Sequence, residues 1–147
     1  MNRLLLFVFI GISVTSFAQE NYFQQHVNYT IDVSLNEKEK TINGFEKIIY
    51  KNNSSVSLDF IWFHIWANAY SNEQTAFFEQ LNGDIERKKK LKNYKGGSIS
   101  GLSFTANGKA CNIEAHPKPN YIDIVKVLLP TPLKPGDSVT ITTPFTV

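Results

Sequence analysis

The chain has 147 residues, with 15 Lys and Arg against 13 Asp and Glu and a net charge of +2 at neutral pH. That near balance argues against a dedicated nucleic-acid binder, which carries a strong basic excess. The single cysteine, Cys111, excludes an intramolecular disulfide, so the fold must be held by packing, and a small buried side chain is the expected role of the thiol.

The first segment carries Arg3, then the apolar run LLLFVFIGISV, then Ser16, Phe17 and Ala18 before Gln19. That order of basic, apolar and small residues is a secretory signal peptide over 1–18, with cleavage expected after Ala18. A retained anchor is the alternative, but the run falls short of the about 20 apolar residues that span a bilayer. Roughly 130 residues follow, one domain's worth of chain, and the expected destination is export to the periplasm, the outer surface or the medium.

From Tyr29 the pattern alternates: Tyr29, Ile31, Val33 and Leu35 against Thr30, Asp32, Ser34 and Asn36, as a half-buried strand requires. NEKEK is a turn, and TINGFEKIIYKN (41–52) returns as the second arm of a hairpin, with Gly44 marking a bulge or a close approach. After the turn NNSS comes FIWFHIWANAY (60–70), entered through Leu58 and apolar at both alternating sets, Leu58, Phe60, Trp62, His64 and Trp66 against Ile61, Phe63, Ile65 and Ala67. Burial is worth about 1.5–3 kcal/mol for each large side chain, so the pattern predicts a central strand covered on both faces. Ser71 with Gln74 resembles a capping box opening a short helix over 72–82, followed by a mobile Lys-rich connection over 82–97. The remainder reads as β: two strands around Asn107-Gly108, then NYIDIVKVLL, the turn PLKPGD, and SVTITTPFTV with Val139, Ile141, Phe145 and Val147 on one side. That last pattern stops without a turn or tail, so the chain reads as cut at a domain edge. The sum is a mostly β chain, an antiparallel β-sandwich or saddle-like domain with one short helix, over 19–147.

Residues capable of chemistry are scattered. His26, His64 and His116 lie too far apart for the one-turn spacing by which a His-Glu-x-x-His helix converges two imidazoles on zinc. His64 is expected to be a hydrogen-bonded core histidine and His116 a solvated loop residue. Glu114 and Asp123 are expected to face solvent as strand residues, and their spacing defines no acid pair. No nucleophile elbow and no phosphate-binding glycine loop is present. The reading assigns no catalytic, cofactor-binding or metal residue to this chain. Asn28-Tyr29-Thr30 and Asn53-Ser54-Ser55 match the glycan acceptor pattern, which arises often by chance.

Four pieces nevertheless occur in a familiar order: YTIDVSL (Tyr29 to Leu35), GFEKIIYKN (Gly44 to Asn52), FIWFHIWANAY (Phe60 to Tyr70) and LPTPLKPGDSVTI (Leu129 to Ile141). Together they resemble the amino-terminal β domain of secreted zinc metallopeptidases of the aminopeptidase N (gluzincin) type. The resemblance implies a non-catalytic domain that packs on a catalytic domain of the same polypeptide and shapes access to it. It places the zinc and the peptide substrate in that other domain, whose His-Glu-x-x-His and Gly-x-Met-Glu-Asn motifs do not occur here. Two further readings stand beside it. One is a stand-alone secreted β-sandwich module for glycan or peptide, with Tyr70, Tyr94 or Tyr121 as platforms. The other is a surface-adhering protein using the basic run ERKKKLK (86–92).

Overall fold

The structure is a computed structural model that describes residues 23–91 and 96–147. The signal peptide expected over 1–18 lies outside the described residues. Strand β1 (His26–Asn36) and strand β2 (Thr41–Lys51) form the hairpin that the alternation predicts, in unbroken register from His26 opposite Lys51 to Asn36 opposite Thr41. Its turn closes with Lys40 at φ 53°, a left-handed residue of the kind tight turns use. Gly44 sits in regular pairing, without a bulge. The reason for a glycine there is close approach: a Cβ at that position would collide with Cζ of Phe145, whose ring crosses the glycine from the neighbouring strand.

That neighbour is β8 (Ser138–Thr146), antiparallel to β2 along its length. Two-residue strands β4 (Thr105–Ala106) and β5 (Lys109–Ala110) complete a five-stranded sheet in the order β1-β2-β8-β4-β5. The turn between them has φ of 49° at Asn107 and 78° at Gly108. Two positive φ values define the primed hairpin turn for which Asn-Gly is the preferred pair.

The second sheet has three antiparallel strands in the order β3-β7-β6: β3 (Leu58–His64), β6 (Ile113–Ala115) and β7 (Ile124–Leu133). Between the sheets lies the core, in which Val127 and Ile141 are fully buried and Ile48, Ile61, Phe104 and Val139 nearly so. The molecule is thus mostly β, two antiparallel sheets arranged as a sandwich, as the sequence predicts.

Two local expectations are corrected. β3 is an edge strand rather than a central one: Ile61 and Phe63 turn inward, and so does Leu58 across a register shift, whereas Phe60 and Trp62 remain 38% and 43% exposed. The strand also ends at His64, so Trp66 and Ala67 belong to a 3-10 turn, Trp66–Tyr70. The first helix, α1 (Ala76–Gln80), is capped by Thr75 rather than Ser71. The Thr75 hydroxyl accepts from the Phe78 N–H at 3.4 Å and donates to the Ala69 carbonyl at 2.6 Å, so the cap is tied into the preceding turn. A second helical segment, α2 (Ile85–Leu91), forms within the stretch expected to be a connection.

One polar side chain organises the end of the sandwich where these loops meet. Asn52 is fully buried. Its Nδ2 donates to the carbonyls of Val56 and Leu133, and its Oδ1 accepts from the N–H and hydroxyl of Ser54. The NNSS turn is thereby fastened to the end of β7.

Candidate functional site

Register decides which side chains of the five-stranded sheet look inward. Opposed residues share a face in an antiparallel pair, so Tyr29, Ile31, Val33 and Leu35 lie on the same side as Ile42, Glu46 and Ile48 of β2 and Ile141, Phe145 and Val147 near β8. That side is the core side, because Ile48 and Ile141 are buried in it. The three-stranded sheet, however, covers only part of it. Tyr29, Ile31, Val33 and Leu35 are 62%, 52%, 63% and 69% exposed, and Ile42 and Val147 are exposed as well. Half of the strand pattern read from the sequence is therefore correct in phase but unburied. The inner face continues past its cover as an apolar overhang.

Where the cover stops, a groove of about 430 Å³ runs between the free edge of β3 and the floor made by β1 and β2. Tyr29, Tyr50, Trp62 and Trp66 line it, and one acid does too: Glu46. The Glu46 carboxyl has no hydrogen-bond or ion-pair partner among the described residues. Burial among apolar neighbours pushes its carboxyl above the ordinary glutamate range. A smaller pocket of about 140 Å³ adjoins it, also lined by Glu46, with Ile31, Phe63, Phe104 and Phe145.

His64 stands at the end of β3. Its Nε2 lies 2.5 Å from Oδ2 of Asp123, and its ring packs on Trp66 with centroids 4.1 Å apart. The expectation of a hydrogen-bonded histidine holds, but the residue is at the surface, not in the core. Asp123, expected in solvent, is buried, while the Ile65 N–H donates to its backbone carbonyl at 2.7 Å. The buried Asp123 carboxyl has its hydrogen-bond partner in the His64 ring, as buried polar groups require. No hydroxyl or thiol among the described residues bonds to the His64 ring. The pair therefore fixes a ring and a loop end without an aligned nucleophile.

The other expected residues are dispersed. His26 opens β1 at the surface. His116 is not solvated on all sides: it stacks on Tyr121 at 4.7 Å and leans on Trp62 at 5.4 Å. Glu114 is exposed and receives Lys126 at 3.0 Å. Cys111 is half-buried against the core, and burial raises its thiol. Tyr70 packs on Phe77, and Tyr94 lies outside the described residues. Of the basic run, Arg87, Lys89 and Lys90 are exposed on α2. No group of three His, Cys, Asp or Glu among the described residues is placed to hold a metal ion. No helix among them is long and apolar enough to cross a membrane.

Sequence reasoning passed over Glu46. The signal was available: it interrupts the inward set Ile42, Gly44, Ile48 and Tyr50 with a charge, and a charge on the buried phase of a strand asks for an explanation. No protein-family model and no curated protein matches this chain.

Proposed function

We propose that this chain is the non-catalytic amino-terminal β domain of a secreted zinc-dependent metallopeptidase of the aminopeptidase N type, and that its apolar overhang packs on the catalytic domain. The observation that carries the reading is the row Tyr29, Ile31, Val33, Leu35, correct in phase for burial and more than half exposed. Contiguous apolar surface of that kind marks an interaction face. The resemblance supplies the identity of the occupant, and its four pieces fall on β1, β2, β3 with its following turn, and β7 through β8. Zinc and peptide substrate belong to the catalytic domain, and the role left to this domain is to shape the approach to it.

The test has two parts. Aminoacyl reporter substrates should stay intact in the presence of this chain with or without added zinc. The reading frame beyond the codon for Val147 should encode His-Glu-x-x-His within a few hundred residues. Turnover by the chain alone, or a stop codon at that point, overturns the reading.

One observation favours a second reading, the secreted binding module. The outer face of the three-stranded sheet carries a partly exposed aromatic row in which Phe60 meets Trp62 edge-on at 5.9 Å, Trp62 meets His116, and His116 meets Tyr121. Such rings suit the apolar faces of sugars. Retention on an insoluble polysaccharide, lost in Trp62→Ala, would favour it.

A further inference from the structure

The free edge of β3 forms an unused half of a hydrogen-bond ladder. The Ile65 N–H donates to the Asp123 carbonyl and the Leu128 N–H to the Asn112 carbonyl. With the register of Phe63 opposite Val125 and Ile61 opposite Val127, alternation turns the odd residues of β3 toward β7. The N–H and C=O groups of Phe60, Trp62 and His64 therefore point outward, away from β7, the strand with which β3 pairs. Natural sheets blunt such edges with lysine, proline or a bulge; the register of β3 shifts between Leu58 and Phe60, and the stretch from Phe60 to His64 beyond it pairs regularly and contains no lysine and no proline. Of the other edges, β5 and β6 are two and three residues long, and β1, eleven residues long, borders the wider sheet, which itself forms the floor.

The floor beneath that edge says what would pair with it. A strand added to β3 would lie over Tyr29 and Tyr50, with every second side chain directed down into the groove, in positions opposite Ile61 and Phe63. There the unpartnered Glu46 carboxylate waits among aromatic rings, and no lysine or arginine lines the groove. Stacked sheets are about 10 Å apart, so a long cationic side chain is needed to reach it, its stem lying along Tyr29 and Trp66. A second copy of the chain does not fit. Its β3 edge carries its own β1–β2 floor, and pairing β3 with β3 would set two floors in one space.

We propose that the β3 edge is a strand-addition site for an extended segment of a partner protein, carrying a lysine or arginine at an inward position opposite Ile61 or Phe63 and held there by Glu46. This proposal shares Tyr29 with the docking row of the metallopeptidase reading, whose remaining members Ile31, Val33 and Leu35 run from there toward the hairpin turn.

The probe is a capped, fluorescent heptapeptide, Thr-Val-Thr-Lys-Thr-Val-Thr, titrated into the whole chain, with amide hydrogen exchange followed in parallel. Binding is expected together with slowed exchange at Phe60, Trp62 and His64. A peptide N-methylated at the alternate residues that bond to the edge should bind at least tenfold more weakly, whereas methylation of the other set should leave affinity within about threefold. Glu46→Lys should weaken the lysine peptide at least tenfold and restore comparable binding to the peptide with glutamate at the central position, in a variant whose circular dichroism matches the parent. Absence of binding, equal sensitivity to both methylation patterns, or failure of the charge exchange overturns the proposal. Turnover of aminoacyl reporters by the chain alone would overturn the metallopeptidase reading and leave this result untouched, so the two readings fail separately.

Discussion

Asn52 and Glu46 are two polar groups placed in apolar surroundings with opposite consequences. Asn52 uses both amide hydrogens and its carbonyl oxygen. In Asn52→Ala the Leu133 carbonyl loses its donor and the Ser54 N–H its acceptor in a buried site, while the Val56 carbonyl keeps the Ser54 hydroxyl, at about 1–3 kcal/mol for each group left unpaired. A fall in unfolding free energy of at least about 2 kcal/mol is expected in urea titration. Glu46 makes no such bonds, and burial raises its pKa. The unfolded chain therefore ionises first as pH rises, and stability declines from below the ordinary glutamate range up through the elevated folded value. Glu46→Gln should accordingly be more stable than the parent at pH 7 and indistinguishable from it near pH 3, in thermal melts at both values. A stabilised variant that has also lost peptide binding would identify Glu46 as a residue kept at a cost to the fold.

Strand phase was legible in the sequence and strand position was not. The alternation in 29–35 and in 139–147 gave the correct face for each side chain, because a pleated strand has a fixed period of two whatever lies above it. The Asn107-Gly108 pair announced its turn for an equally local reason, the need for two positive φ values. Whether a face is covered depends on a partner elsewhere in the chain, and here local pattern misled. Phe60 and Trp62 look as apolar as Ile61 and Phe63, yet they lie partly exposed, where the Trp62 ring meets Phe60 and His116 and Lys126 sits 4.5 Å over the Phe60 ring. The groove was invisible for the same reason, since it exists only where one sheet overhangs another. A measurable consequence separates the two faces. Trp62→Ala, which a doubly covered strand would make about 3–5 kcal/mol unfavourable, should cost only about 1–2 kcal/mol at its observed exposure. Ile141→Ala, at a site with no exposure, should cost about 2–5 kcal/mol.

At the scale of the molecule, the five-stranded sheet is wider than the three-stranded sheet laid over it, and the excess is apolar. A monomer gains nothing from Val33 and Leu35, which are 63% and 69% exposed, so their replacement separates folding from association. The double variant Val33→Asp, Leu35→Asp should unfold within about 0.5 kcal/mol of the parent, as exposed substitutions do. Placed in a polypeptide that also carries the zinc-binding domain, the same pair should detach the two domains, because two carboxylates would then be desolvated without partners at the junction. Limited proteolysis reads this out: the joined parent should resist cleavage between domains, and the variant should release an intact β domain. An unchanged cleavage pattern in a folded variant would place the docking face elsewhere on the sandwich, with the outer aromatic row of Phe60 and Trp62 as the next surface to substitute.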